Sequence, residues 1–312
     1  MKKYSRPFLN AVGYYAIKAK WRRYQYLSRL QREDKKRNAE VYRRISMIDS
    51  RILPQLQEGR NVTVSLTSHS TRVERFAPYA IYSILQQTVL PNRIVLNIDK
   101  TKWNNENLPN LIKKLQIAGL EVNFCEDVGP HTKLLPVLQK YPDDVIITVD
   151  DDICYSRTAI EELLNAYQLY PQGTIVCRRG VEVAYENDMI LPYSQWKEAK
   201  TNTKNRISPF GVNGVLYPPY IFSQEIHNKD VYRQYCKCAD DIWFTIMEIR
   251  ENILVKLVSE PSFTKDLCVN HYNEYVAQNS DALHFQNEGN GMNNVQLNQL
   301  VEYYSLCGDK SK

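Results

Sequence analysis

The sequence predicts an α/β fold with a mostly parallel, Rossmann-like sheet that is flanked by helices and preceded by a basic helical extension. Two observations predict the sheet. Between residues 60 and 150, short apolar runs alternate with amphipathic helical runs, which is the signature of a doubly wound parallel sheet. The strand runs are also continuously apolar, as expected for strands that are buried on both faces.

The predicted elements follow one another in that alternating order. We expect strands at 62–67, 93–98, 120–124 and 144–149, separated by helices at about 75–87, 107–118 and 131–140. Beyond them we expect a helix at 156–167, strands at 174–178 and 214–217, a helix that begins at Asp240 and a last helix at about 295–306. The chain is divided into a basic helical extension, 1–58, and one enzyme domain, 59–312, with a donor half at about 60–155 and an acceptor half at about 156–285.

The extension differs from the rest of the chain in charge. Residues 1–60 contain 16 Lys and Arg against 5 Asp and Glu, whereas the remainder contains 24 against 30. An apolar stripe at helical spacing interleaves with basic residues there (Tyr14, Ile17, Trp21, Tyr24 and Leu27; Lys18, Lys20, Arg22 and Arg23). Two interpretations stay open: a helix packed on the enzyme domain with a solvated basic face, or a helix lying on an anionic membrane surface. No nucleic-acid motif accompanies the charge, so no nucleic-acid partner is expected.

Cysteine usage and hydropathy indicate the compartment. The seven cysteines are odd in number and follow no disulfide framework, and Cys236-x-Cys238 lacks the second pair that a zinc site needs. No run of 18 apolar residues is present, and the N-terminus lacks the apolar core of a signal peptide. We therefore expect reduced thiols in a cytoplasmic protein; if the extension lies on a membrane surface, the protein is peripheral on the inner face of the cell membrane.

Three consecutive aspartates follow the fourth predicted strand. In an extended chain, alternate side chains point to the same side, so Asp150 and Asp152 can face one pocket while Asp151 turns away. A pair of carboxylates suits Mg²⁺ or Mn²⁺, which keep coordination positions open for water and phosphate oxygens. The alternative is a solvated acidic turn that leads into the next helix. In such sheets, ligands bind beyond the carboxyl ends of the strands, which favours the metal site.

Other strand ends supply groups at the same edge. In the stretch Val64–Ser70 the first strand runs into a small polar loop, whose backbone a nucleotide could approach closely, and Asp99 ends the second strand. The third strand leads to a turn and a helix start at 126–133, where Lys133 could neutralise a diphosphate with help from the helix N-terminus.

At this point three motifs resemble a known family. "SILQQTVLPNRIVLNID" (83–99), "ITVDDDI" (147–153) and "CADDIWF" (238–244) resemble, in order and spacing, motifs of family-two-like glycosyltransferases with the GT-A fold. The resemblance covers roughly residues 60–250 and is greatest to bacterial enzymes that build surface polysaccharides. It implies a GT-A-like domain that uses a nucleotide sugar and a divalent metal.

The resemblance also implies roles for individual residues. Asp241 would be the catalytic base, with Asp240 as its acidic neighbour. Metal ligation would come from Asp152 and Asp150, with a further ligand from His271 or His284, although a lone histidine is also often structural. The donor site would include these residues: Thr67, Ser68, His69, Arg72, Asp99, Lys133, Asp150 and Asp151.

Three features near the second acidic motif can be interpreted functionally but also have plain structural alternatives. Asp240 and Asp241 could simply stabilise a helix N-terminus, where carboxylates are favoured. The stretch 211–219 (GVNGVLYPP) lies beside the acceptor in the family, but it also fits an ordinary turn. Trp243 could stack on a sugar ring, but its spacing with neighbouring apolar residues favours the core.

The sequence thus predicts a Mn²⁺- or Mg²⁺-dependent glycosyltransferase. It would move a sugar from a nucleotide-sugar donor to a glycan or lipid-linked acceptor, with inversion, because a carboxylate base would take the proton of the attacking hydroxyl. Three alternatives remain: a retaining GT-A glycosyltransferase, a nucleotidyltransferase, and a non-enzymatic protein that binds through its basic arm.

Overall fold

The computed structural model of the chain describes residues 7–49, 61–270 and 291–306. Its strands are β1 Val62–Thr67, β2 Arg93–Asp99, β3 Leu120–Cys125, β4 Val145–Thr148, β5 Ile153–Cys154, β6 Thr174–Cys177, β7 Gly180–Glu182, β8 Tyr185–Glu186, β9 Met189–Ile190, β10 Lys197–Glu198, β11 Ile207–Pro209, β12 Val215–Tyr217, β13 Leu254–Leu257 and β14 Leu267–Cys268. Its α-helices are α1 Pro7–Ser46, α2 Arg72–Arg75, α3 Ala77–Ile84, α4 Asn110–Ile117, α5 Leu135–Lys140, α6 Ala159–Leu169, α7 Lys229–Tyr235, α8 Asp240–Arg250 and α9 Met292–Tyr303. Short 3₁₀-helices lie at His131–Lys133, Tyr193–Gln195, Gly211–Asn213, Gln224–His227 and Ser262–Lys265.

A seven-stranded sheet forms the centre, in the order β13-β6-β12-β4-β1-β2-β3. All neighbouring strands are parallel except β12, which runs antiparallel to both β4 and β6. The predicted mostly parallel sheet with flanking helices and an N-terminal helix is therefore confirmed. Thr67 pairs with Asn97 and Ser65 with Thr148, so β1, β2 and β4 end at one edge of the sheet.

The sheet is buried on both faces, which is why its strands are continuously apolar. One hydrophobic cluster packs α1, α3, α4 and α6 against it, and a second packs α5, α7, α8 and α9 against the opposite face. Along β1, Val64 and Leu66 enter the first cluster. The alternate residue Ser65 is fully buried and turns its hydroxyl toward the loops that carry the site.

Two predicted helices differ from the structure, and a proline marks the helix start in each. In place of the helix expected at 75–87, α3 begins at Ala77 with Pro78 in its first turn and ends at Ile84, and the separate short helix α2 precedes it. The helix expected at 131–140 is a 3₁₀ turn followed by α5, again with proline in the first turn. Proline lacks the backbone donor that an uninterrupted helix needs and fits a helix start.

Helix α1 has an exposed part and a docked part. Ile45 is fully buried in the first hydrophobic cluster, and Val41 and Ile48 pack against it. Toward the N-terminus, Trp21 is 60% exposed and Tyr24 is 68% exposed. Of the other three stripe residues, Leu27 is half-buried, and the side chains at 14 and 17 lie outside the described part of the chain. The helix is therefore packed on the domain at one end and presents a basic, aromatic surface at the other.

Two further expectations concern absences. Within the described residues, no helix combines the length and the apolar character needed to cross a membrane. The six cysteines that fall in the described ranges form no disulfide.

Candidate active site

The aspartate turn after β4 is held by the loop after β1. Asp151 is buried, accepts a hydrogen bond from the Ser68 hydroxyl at 2.5 Å, and forms an ion pair with Arg72. The same guanidinium lies 2.9 Å from Asp152, whose side chain is 38% exposed. Arg72 thus contacts both Asp151 and Asp152, whereas Asp150 lies beside Lys133.

Lys133 joins this turn to the acidic start of α8. Its Nζ lies 3.2 Å from Asp150 Oδ1 and 3.0 Å from Asp240 Oδ2, and its side chain is 9% exposed. Burial disfavours the ammonium, but the carboxylates of Asp150, Asp240 and Asp241 outweigh that cost, so the pKa of Lys133 lies well above its ordinary value. The lysine is a buried, charged bridge between Asp150 of the aspartate turn and the acid pair at the start of α8.

A chain of side-chain hydrogen bonds across the sheet fixes the turn that carries Lys133. Asn123 on β3 donates to Asn97 on β2 at 2.8 Å, and Asn97 donates to the Ser65 hydroxyl on β1 at 2.9 Å. Ser65 in turn donates to the carbonyl oxygen of Lys133 at 2.7 Å. Buried polar groups must be paired, and here their pairing determines where the lysine backbone lies.

Asp241 has the environment of a general base. Burial and the neighbouring Asp240 raise the pKa of Asp241 to about 7, while Lys133 opposes that rise. One of its carboxylate oxygens accepts a hydrogen bond from the backbone N–H of Gly211 at 3.2 Å. A pKa close to neutral is what proton abstraction near pH 7 requires. Asp240 is buried beside Lys133 and Asp241 is partly exposed, so the two acids differ in access.

Gly211 and Tyr155 complete the site; Gly211 begins the stretch 211–219 that the sequence places beside the acceptor, whereas no sequence motif indicates Tyr155. A Cβ on Gly211 would lie 2.3 Å from Lys133 Nζ and 2.9 Å from Asp241 Oδ1, so any larger residue would displace the charged ends of these two side chains. The buried hydroxyl of Tyr155 accepts the backbone N–H of Asp150 and donates to the carbonyl of Val212, both at 2.8 Å. The start of the stretch 211–219 is thus packed directly on the acids.

The remaining predicted residues lie outside this cluster of contacts. The Thr67 hydroxyl donates to the carbonyl of Asn97 at 3.0 Å, and the exposed His69 contacts Ser70. Asp99 accepts two hydrogen bonds from Thr101, which lower its pKa. These residues and the aspartates lie along the same carboxyl edge of the sheet. A ligand that contacted both groups would have to extend along this edge.

Two expectations remain: a further metal ligand from His271 or His284, and a sugar-stacking or core role for Trp243. Both histidines lie outside the described residues. Trp243 is fully buried, and its indole N–H donates to the carbonyl of Ile226 at 3.1 Å. It is therefore a core residue, as its helical spacing favours, and it is not placed to stack on a sugar.

The acids fit a divalent cation by charge rather than by a complete ligand set. Within residues 7–49, 61–270 and 291–306, no group of three or more His, Cys, Asp and Glu is arranged to hold a metal. Burial and the charge of Asp151 raise the pKa of Asp152 to about 6, against the opposing effect of Arg72. The cluster sets five carboxylates (Asp150, Asp151, Asp152, Asp240, Asp241) against two cations (Arg72, Lys133). Mg²⁺ and Mn²⁺ commonly use one or two carboxylates and complete their shell with water and phosphate oxygens.

Comparison with known proteins gives limited likenesses. No family model and no curated protein matches the chain. Among solved structures, the chain is similar to TarS of S. aureus in complex with UDP, with 15% identity, a TM-score of 0.42, and 64% of this chain and 58% of that chain covered. It is also similar to glucosyl-3-phosphoglycerate synthase of Mycobacterium tuberculosis in complex with Mn²⁺, UDP and glucosyl-3-phosphoglycerate, with 12% identity, a TM-score of 0.42, and 81% and 82% covered. A third is a CMP:2-keto-3-deoxy-manno-octonic acid synthetase with CTP, with 12% identity, a TM-score of 0.40, and 65% and 91% covered.

Proposed function

We propose that this chain is a metal-dependent glycosyltransferase that moves a sugar from a nucleotide-sugar donor to a glycan or lipid-linked acceptor in bacterial surface polysaccharide synthesis. The observation that carries the proposal is the bridge at Lys133, whose Nζ lies 3.2 Å from Asp150 and 3.0 Å from Asp240. It brings the strand-end aspartates, suited to a metal and a diphosphate, beside an acid pair that includes a base. The groups that would activate the donor and the group that would deprotonate the acceptor then lie in one site.

Asp241 is the base in this proposal, and the reaction inverts the sugar's configuration. Its carboxylate takes the proton of the attacking acceptor hydroxyl as the bond between sugar and diphosphate breaks. With a pKa of about 7, a substantial fraction is ionised at neutral pH and the base is strong enough to assist. The hydrogen bond from the Gly211 N–H fixes one oxygen, leaving the other for the acceptor.

Asp152 and Asp150 would hold the divalent cation, Mn²⁺ or Mg²⁺, which when bound neutralises charge on the departing diphosphate. Lys133 offsets part of the negative charge of Asp150 and Asp240 and opposes the rise in the pKa of Asp241. Arg72 and Ser68 hold Asp151 and so orient the turn. The loop Thr67–His69 and Asp99, at the same edge, contact the nucleoside.

The exposed end of α1 supplies the membrane contact in this proposal. It displays Trp21 and Tyr24 beside the exposed Arg22 and Arg23, a combination suited to an anionic lipid surface. A lipid-linked acceptor would then be met at the cytoplasmic face of the cell membrane, with the enzyme held there peripherally.

A panel of nucleotide sugars tests the function. The full chain is incubated with each donor and Mn²⁺ or Mg²⁺, and slow donor hydrolysis and thermal stabilisation are measured. We expect one donor to be hydrolysed only with metal, and Asp152→Asn to abolish that hydrolysis. The exposed Asp143 provides the control Asp143→Asn, with wild-type turnover expected. Binding of no donor, or full turnover by Asp152→Asn, would refute the proposal.

The same assay separates the alternatives. Asp241→Asn should stop transfer while donor binding survives; loss of binding would give Asp241 a structural role. The anomeric configuration of the product, read by NMR, distinguishes an inverting from a retaining enzyme. Release of pyrophosphate from a nucleoside triphosphate and a sugar phosphate would instead identify a nucleotidyltransferase.

A further inference from the structure

Residues 266–269, here called the clamp segment, run antiparallel to the chain that leaves the aspartate turn. Leu267 pairs with Cys154 and Cys268 pairs with Ile153. The backbone N–H of Val269 donates to the carbonyl of Asp152 at 2.7 Å. The main chain of the candidate metal ligand is therefore bound by a segment more than 100 residues away in sequence.

One end of the clamp segment is anchored inside the domain by Arg178. Its fully buried guanidinium lies 2.8 Å from Asp266 Oδ2 and 3.0 Å from Glu162. The other oxygen of Asp266 accepts the backbone N–H of Ser156 at 2.9 Å. Each buried charged group at this end therefore has a partner, as buried charges require.

The other end is anchored by the N-terminal helix. Arg37 on α1 donates to the carbonyl of Cys268 at 2.6 Å and to the carbonyl of Val269 at 3.1 Å. The Asn38 side-chain amide donates to the Val269 carbonyl at 2.8 Å. The guanidinium is itself held by Asp34, at 3.1 Å. A single hydrogen-bonded peptide unit, that of residues 268 and 269, thus separates the helix from Asp152.

We propose that Arg37 and Asn38 are positioning residues for Asp152, and that the docked end of α1 belongs to the machinery of the site. By capping the carbonyls of the clamp segment, they hold the Val269 region in the register that binds the Asp152 carbonyl. Charge-assisted bonds such as those of Arg37 are about twice as strong as neutral ones. The effect on catalysis rests on the proposed function, whereas the structural coupling does not depend on it.

Hydrogen exchange of the full chain, measured by mass spectrometry, tests the coupling directly. Arg37→Ala and Asn38→Ala are compared with wild type and with the control Arg43→Ala, since Arg43 is exposed on the same helix and pairs with Glu40. We expect peptides covering 152–154 and 267–269 to exchange about tenfold faster in both variants, from the loss of one or two hydrogen bonds, and at the wild-type rate in the control. Wild-type exchange in both variants would overturn the proposal. So would acceleration spread evenly over the central sheet, which would indicate general destabilisation.

Two conservative variants sharpen the result. Asn38→Asp keeps the shape but sets a carboxylate against the Val269 carbonyl, so it should behave like Asn38→Ala. Arg37→Lys keeps the charge and should restore part of the protection. An Asn38→Asp protein with wild-type exchange would contradict the role of the amide donor.

Mn²⁺ binding by the full chain, followed by electron paramagnetic resonance, extends the test to the aspartate. Asn38→Ala should weaken Mn²⁺ binding several-fold and raise the Mn²⁺ concentration for half-maximal turnover more than it lowers kcat. If Arg37→Ala and Asn38→Ala both bound Mn²⁺ as tightly as wild type, the proposed positioning of Asp152 by these two residues would be overturned. If the wild type turned over no nucleotide sugar, the proposed function would fail, while the exchange result would still decide the coupling.

Discussion

Gly211 and Lys133 approach so closely that a methyl group on the glycine would stand 2.3 Å from the ammonium nitrogen. The same methyl group would lie 2.9 Å from Asp241 Oδ1. The turn at 211–213 therefore packs directly against the charged ends of Lys133 and Asp241. The backbone N–H of Gly211 also donates a hydrogen bond to Asp241, the candidate base. Because the atom in the way belongs to a flexible side chain, substitution there should disturb the site more than the fold.

Gly211→Ala tests that expectation. The lysine end must move away from Asp240 and Asp150, so we expect kcat to fall about a hundredfold, the scale of a misplaced catalytic geometry, with a stability loss of about 1–3 kcal/mol. Steady-state kinetics and thermal unfolding measure the two effects. Gly173→Ala is the control, because Gly173 has a φ of +81° and no atom within 4 Å of an added Cβ. It should lose stability and keep kcat; wild-type kcat in Gly211→Ala would contradict the close-packed site.

Replacing the buried cation should shift the pH profile. Lys133 lowers the pKa of Asp241 from what burial and Asp240 alone would impose, so Lys133→Met raises that pKa further above 7. The base is then ionised only at higher pH, so the acidic limb of the pH profile of kcat/KM shifts to higher pH. The control is Lys140→Met, whose lysine pairs with Glu121 at 45% exposure. An acidic limb unchanged in Lys133→Met would exclude Asp241 as the titrating base.

The sheet can be predicted from the sequence because the pattern that encodes it is local. Strand β1 is expected at 62–67 and lies there, since a continuous apolar run bounded by polar residues contains the information. The position of the three aspartates follows from the order of strands, because parallel strands end at one edge. The helix boundary near Pro78 is missed because the apolar periodicity continues through the break.

The contacts inside the site cannot be predicted in the same way. Arg37 meets Cys268 across 231 positions of sequence, and Tyr155 meets Val212 across 57. Neither pair leaves a periodic pattern or a motif, since each depends on how separate segments fold together. In the sequence, the close approach at Gly211 shows only as a glycine within a turn, and glycine is common in turns that contact no site.

A second buried acid on α8 should make stability fall with rising pH. Glu248 is fully buried, neither carboxylate oxygen has a hydrogen-bond partner in the described residues, and burial raises its pKa to about 8. In the unfolded chain the pKa of this glutamate is about 4.3. Between about pH 4.3 and about pH 8, Glu248 is therefore protonated in the folded state and ionised in the unfolded state. The free energy of unfolding should decrease as pH rises from about 4 to 8, because folding must then retain a proton that the unfolded chain has released.

Glu248→Gln isolates this effect. The amide cannot ionise, so the slope that Glu248 contributes between about pH 4 and pH 8 should vanish, and the difference in unfolding free energy from wild type should reach its full size above about pH 8. Urea unfolding at several pH values measures it, and Glu251→Gln, at a partly exposed position on the surface, is the control. An identical pH slope in Glu248→Gln and wild type would show that Glu248 does not hold a proton in the folded state.

The exposed end of α1 should bind anionic lipid through its aromatic residues as well as its charge. Replacing Trp21 and Tyr24 together with alanine removes two rings that are 60% and 68% exposed, so partition onto vesicles containing phosphatidylglycerol should weaken about tenfold. Leu169→Ala is the control, since Leu169 is 79% exposed on α6. Raising the salt concentration should weaken the remaining binding, because surface attraction is screened over about 10 Å at 0.1 M. Vesicle sedimentation decides the matter: equal binding by wild type and the double variant, or none by wild type, would leave the helix as a docking element for the enzyme domain alone.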